Sequence, residues 1–149
     1  MVLNKDYREF IELLNFHKVK YLIVGGYAVT VHGYPRYTND IDIWLWIDNE
    51  NAKKIINVLN DFGFGALGLK DEHFLSPDRI IQLGYAPNRI DLLTGVSGIE
   101  FKDCYPNKKS YDIEGLTIDF IDIDNLRKNK KASGRHKDLD DLENLKEAL

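Results

Sequence analysis

Apolar residues recur along this chain with two different periods, and the switches between them divide it into elements. Tyr7, Phe10, Ile11 and Leu14 fall at helical spacing and predict an amphipathic helix over 4–17. Residues 20–24 form a short β-rich run that reads as a buried strand. Gly25-Gly26 ends it, and a short helix is expected over 27–33. Residues 40–47 alternate strictly: Asp40, Asp42, Trp44 and Trp46 share one face, while Ile41, Ile43, Leu45 and Ile47 form the other, which is the expected core face. A helix follows over 49–62, with Ile55, Ile56, Val58 and Leu59 inward and Gly63 closing it. The glycine-rich stretch 63–78 predicts a loop with one helical turn. Two strands, 79–85 and 89–93, join around Pro87-Asn88. Two more, 109–113 and 116–121, flank a hairpin turn at Glu114-Gly115. Helices over 123–131 and 136–148 close the chain. This order predicts an α/β (α+β) fold, a mixed β-sheet with helices packed on it.

Composition narrows the setting. A length of 149 residues predicts one domain, 1–149, and 44% hydrophobic with 30% charged residues suits a globular protein. A net charge of −4 argues against a broad nucleic-acid-binding surface but permits a local basic site. The lone Cys104 excludes an internal disulfide and a cysteine metal cluster. The sequence shows no secretory leader pattern, and its apolar runs are too short to span a bilayer, so the expected location is the cytoplasm, without membrane contact.

The candidate chemistry lies on the alternating strand. Strand residues two apart point the same way, with Cα atoms roughly 6.5–7 Å apart, so Asp40 and Asp42 present two carboxylates together. Such a pair is costly without a cation between its members, and a hard divalent ion with oxygen ligands, Mg²⁺ or Mn²⁺, is the simplest candidate. Two-metal phosphoryl-transfer sites usually take a third carboxylate from a neighbouring strand, and Asp91 is the choice here. The competing reading of Asp91 is a core-edge carboxylate paired with Arg89, which shares its face. Gly25-Gly26 offers backbone N–H groups at a helix start, a site for an anion. Arg36 and Thr38 either reach phosphate or anchor their loop. His32 is a candidate contact near the cleft or a structural histidine. A second Asp-x-Asp, Asp122 and Asp124 after Asp119, stands where a strand hands over to a helix and reads as a cap. Lys130, Lys131, Arg135 and Lys137 form a late basic cluster, either a solvated face or a set aimed at one cleft.

Gly25-Gly26, thirteen residues, then Asp40-Ile41-Asp42, with Asp91 on a later strand, resembles the DNA-polymerase-β-type nucleotidyltransferases. The chain looks most like their small bacterial minimal members. Its tail, Asn129-Lys130-Lys131-Ala132-Ser133-Gly134-Arg135-His136-Lys137-Asp138-Leu139, resembles the closing motif of that group, and the match spans about residues 20 to 142. The resemblance implies a nucleotidyltransferase-like fold. Asp40, Asp42 and Asp91 would hold one Mg²⁺, and Asp40 and Asp42 a second; Asp91 would also help activate an attacking hydroxyl. Lys130 and Arg135 would bind the triphosphate of ATP or another nucleoside triphosphate, together with Gly25, Gly26, Arg36 and Thr38. Asp138 matches an acidic tail position, with helix capping as its other role. Gly26 and Tyr27 stand where many such proteins carry Ser or Thr, leaving phosphate contacts to backbone N–H groups.

The implied activity is Mg-dependent transfer of a nucleotide from a nucleoside triphosphate to a hydroxyl acceptor. Proteins of this kind modify proteins, tRNA or small molecules such as antibiotics, and some belong to toxin–antitoxin pairs. With only a hairpin and two helices expected after residue 95, the acceptor is compact or a partner chain completes the cleft. Two alternatives stand beside this. One is a catalytically degenerate nucleotide- or partner-binding module, such as an antitoxin, which the absent Ser/Thr favours. The other is a nuclease, which would leave the glycine turn and Lys130 without a role.

Overall fold

The computed structural model describes residues 1–148, with side-chain surroundings through 145. Six strands make one mixed sheet in the order β3-β4-β2-β1-β6-β5. The strands are β1 (Tyr21–Val24), β2 (Asp40–Leu45), β3 (Ile80–Leu83), β4 (Arg89–Leu93), β5 (Lys109–Ile113) and β6 (Leu116–Phe120). Six helices accompany them: α1 (Lys5–Phe16), α2 (Gly25–Val31), α3 (Asn49–Phe62), α4 (Phe101–Cys104), α5 (Ile123–Ser133) and α6 (His136–Ala148). β1 runs antiparallel to β2 and parallel to β6, while β2 runs parallel to β4. The last residue of β1 and the first residues of β2 and β4 therefore meet at one edge of the sheet.

Helix α1 starts where Asn4 accepts the Tyr7 N–H at 2.9 Å, and it buries Tyr7, Phe10, Ile11 and Leu14. Helix α3 is capped by Asp48 at its start and ends at Gly63 with φ 98°, a left-handed conformation that glycine adopts without strain. All four residues of β1 are buried, as expected of a central strand. The β5–β6 turn has positive φ at both Glu114 (52°) and Gly115 (84°), the geometry that matches strand twist in a two-residue hairpin.

Four expectations shift. Helix α2 begins at Gly25 rather than 27, so the two glycines are its first turn and not a break before it. Strand β2 stops at Leu45 because the buried Asn51 takes over its neighbours: Asn51 accepts the Lys20 N–H at 2.8 Å and donates to the Trp46 carbonyl at 2.9 Å. The 63–78 stretch holds two 3₁₀ turns, Gly65–Leu67 and Asp71–Phe74, instead of one; burial of Phe74 fixes the second. Helix α4, a single turn, was not expected, being too short for periodicity to register; Phe101 and Cys104 pin it to the core. Phe101 also meets Trp44 edge-on at 5.1 Å, so the face of β2 that carries the aspartates is buried at its far end. No described helix is long and apolar enough to cross a membrane.

Candidate active site

Sheet register assembles the acidic cluster. β2 and β4 pair with Asp40 beside Arg89 and Asp42 beside Asp91, and Val24 of β1 stands opposite Asp42. One oxygen from each of Asp40, Asp42 and Asp91 lies within 4.8 Å of the others. Asp91 stands at the junction of two sets of contacts. It belongs to the cluster, and Arg89 grips it with Nε at 2.9 Å and Nη2 at 3.0 Å. The same Nη2 reaches Asp40 at 2.7 Å, a contact that sequence spacing did not suggest because it crosses between strands.

Electrostatics shows what the cluster lacks. Burial first, then the charges of Asp40 and Asp91, push the Asp42 carboxyl up from 3.8 to about 7. Three carboxylates against one guanidinium leave two negative charges when all are ionised. The donors are all hard oxygens on a rigid sheet, so the set fits a hard divalent cation such as Mg²⁺ or Mn²⁺. Gly25 confirms how tightly this corner is built. Its φ is +67°, and a Cβ there would run into the Asp42 carboxylate. A Cβ on Gly26 would meet Thr38 Cβ and Oγ1, both at 2.9 Å.

The cleft beside the cluster has a volume of about 420 Å³, and its walls include Gly25, Gly26, Arg36, Lys130, Arg135 and the three aspartates. Most of its cations are already paired. Lys130 is 4% exposed and lies 3.1 Å from both Asp138 and Asp141. Arg36 pairs with Asp141 at 2.7 Å, tying its loop to α6, and Thr38 Oγ1 donates to the Asp40 backbone oxygen at 3.2 Å. Arg135 contacts Asp138 at 2.7 Å while its side chain stays 75% exposed along the cleft. Asp138 is a buried hub rather than a simple cap. Burial raises its carboxyl, but hydrogen bonds from Arg135, Ser133 and Lys130 outweigh burial and hold it at about 2. Asp141, fully buried at the junction of Arg36 and Lys130, was missed in the sequence. Its spacing of three from Asp138, which puts both on one helix face, was the available signal.

Most of the other candidates fall elsewhere. His32 bonds the Ile121 carbonyl at 2.6 Å in a separate groove of about 1020 Å³ between α2, the β5–β6 hairpin and α5. That groove is larger than the cleft, but its Asp122 caps α5 by accepting the Asn125 N–H, and among the described residues the close carboxylate triad lies in the cleft. Lys131 is exposed, and Lys137 stands at the cleft. Tyr27 turns toward α1, its ring edge-on to Tyr7 at 5.7 Å.

The comparisons with known proteins agree with this architecture. Several solved structures match over nearly the whole chain, including two nucleotidyltransferase-type proteins. One is the lincosamide antibiotic adenylyltransferase LnuA, lincomycin-bound (18% identity, TM-score 0.59, 99% of each chain covered). The other is an antigenic nucleotidyltransferase-like protein from Paracoccidioides brasiliensis (13% identity, TM-score 0.56, 96% of this chain and 77% of that one). No protein-family profile matches, and no curated protein sequence matches. The chain has a nucleotidyltransferase-like fold.

Proposed function

We propose that this chain is a divalent-metal-dependent nucleotidyltransferase that moves a nucleoside monophosphate from a nucleoside triphosphate to a hydroxyl acceptor. The observation that carries the reading is the convergence of Asp40, Asp42 and Asp91 from two adjacent strands at the edge where Gly25 opens α2. A Mg²⁺ or Mn²⁺ held by these three carboxylates would supply positive charge to the reacting phosphate and lower the acceptor's pKa. The chain's own residues do the rest. Asp91 helps hold the acceptor oxygen and receives its proton. Backbone N–H groups at Gly25 and Gly26, where α2 begins, face the phosphate chain, and the missing Cβ atoms leave room for Asp42 and Thr38 beside them. Arg135 and Lys137, exposed at the cleft, meet the triphosphate. Lys130 and Arg36 contribute positive potential while anchoring α5 and the loop before β2 to α6. The acceptor oxygen bonds to the α-phosphorus, the bond to the bridging oxygen breaks, and pyrophosphate leaves. Catalysis of this kind rests on positioning and charge stabilisation.

ATP as donor and a small hydroxylated acceptor are favoured, because a lincosamide adenylyltransferase shares the fold along the full chain. A tRNA or protein acceptor, or a partner chain that completes the open cleft, is the alternative. The test is pyrophosphate release from ATP with Mg²⁺ and a cell extract, comparing the protein with its Asp42→Asn variant. The expected result is loss of at least about a hundredfold with an unchanged circular dichroism spectrum, in keeping with removal of an electrostatic catalytic group. Undiminished release from a folded variant would overturn the assignment.

A further inference from the structure

We infer that Arg89 is an internal counter-cation that competes with the divalent metal for Asp40 and Asp91, so that metal and nucleotide enter the site together. The inference rests on the proposed function and adds a coupling to it. Arg89 stands beside Asp40 in the register of two parallel strands and two residues before Asp91 on its own strand. It makes three charge-assisted hydrogen bonds, at 2.7, 2.9 and 3.0 Å, to Asp40 and to both oxygens of Asp91. These carboxylates are two of the three metal-ligating candidates. A guanidinium does not give up its proton in a protein, so Arg89 cannot leave the cluster by losing charge. It has to move.

Its side chain is 31% exposed and lines the cleft, so the route outward is open. Among the described residues that wall the cleft, the remaining acids are committed: Asp42 would itself hold the metal, and Asp138 is engaged by Lys130 and Arg135. A displaced Arg89 therefore needs an anion brought in from outside, and the phosphate chain of a nucleotide is the anion this cleft would hold. Metal alone must pull the guanidinium off its partners without compensation. Metal with nucleotide gives it a new partner. Each ligand then raises the affinity of the other by the same factor.

The experiment is calorimetric titration with Mn²⁺, alone and with the non-transferable analogue α,β-methylene-ATP, on the wild type, Arg89→Gln and Arg89→Lys. Expected is Mn²⁺ binding alone at least about tenfold tighter in Arg89→Gln than in the wild type. The enhancement of Mn²⁺ affinity by the analogue should shrink by a similar factor, with Arg89→Lys in between. A melt in EDTA and in Mn²⁺ accompanies each titration. An Arg89→Gln protein that folds only with Mn²⁺ supports the inference, because the metal then replaces the lost counter-cation. Arg89→Gln binding Mn²⁺ no more tightly than the wild type would overturn it, leaving the function intact if the wild type still binds Mn²⁺ with the analogue. A wild type that binds Mn²⁺ under neither condition would overturn both.

Discussion

Replacing Asp42 with asparagine should make the metal-free protein more stable above neutral pH. The Asp42 carboxyl is raised from 3.8 to about 7 by burial and by its two carboxylate neighbours. A raised acid holds its proton in the fold at pH values where the unfolded chain has lost it. Stability therefore falls as pH climbs from about 4 through about 7, and above that range the full cost of the buried charge is present. A rise from 3.8 to about 7 corresponds to roughly 4 kcal/mol at 1.36 kcal/mol per pH unit. Asparagine keeps the shape, removes the charge and can donate to Asp91. Allowing for imperfect replacement, the gain should be about 2–4 kcal/mol near pH 8, on the order of 10 °C in melting temperature for a domain of this size. The assay is thermal unfolding followed by circular dichroism in EDTA at about pH 8 and about pH 4, where the gain should shrink below roughly 1 kcal/mol. In Mn²⁺ together with a non-transferable nucleotide analogue the wild type should recover stability, and the variant should recover less. An Asp42→Asn protein no more stable than wild type near pH 8, or a gain independent of pH, would refute the claim that these carboxylates repel one another for want of a cation.

The buried hub gives the opposite sign. Asp138→Asn leaves Lys130 and Arg135 poorly paired and should cost about 3 kcal/mol in urea unfolding. The Asp138 contribution should be present above about pH 4 and disappear as pH falls through about 2, which acid titration of the wild type against the variant would show. Gly25→Ala, forced into a left-handed conformation and into the Asp42 carboxylate, should destabilise the fold by at least about 1–2 kcal/mol and weaken Mn²⁺ binding in calorimetry. The Cys104 thiol, raised to about 11 by burial and by nearby acids such as Asp122, should resist a thiol-reactive dye near pH 8 in the native protein and react at once in denaturant.

Periodicity made most of the architecture legible. The alternation across residues 40–47 placed Asp40 and Asp42 on one face, and Ile41, Ile43 and Leu45 are buried as that pattern requires. The Glu114-Gly115 hairpin, the Gly63 helix end and the Asp122 cap were each written in local turn chemistry, which needs no tertiary partner. Strand order across the sheet was not legible. The Arg89–Asp40 contact depends on β2 lying beside β4 across a connection of more than forty residues, and nothing local announces that. Lys130 illustrates the same limit. The family resemblance implied a triphosphate contact for it; only the fold reveals its 4% exposure and its two aspartate partners, which tie α5 to α6 beside the cleft. Helix α4 escaped because four residues hold barely one helical period. Tyr27, at a position where the resemblance led to an expected Ser or Thr, packs its ring edge-on against Tyr7 of α1, a tertiary contact that local sequence does not announce.

The most direct measurement of the central claim is label transfer. The protein would be incubated with each α-³²P-labelled nucleoside triphosphate, Mg²⁺ and a whole-cell extract, beside an Asp40→Asn/Asp42→Asn control. The account predicts label on a small molecule, an RNA or a protein with the wild type alone, strongest with ATP and abolished by EDTA. Label of equal strength with the double variant, or none from any of the four triphosphates, would contradict it.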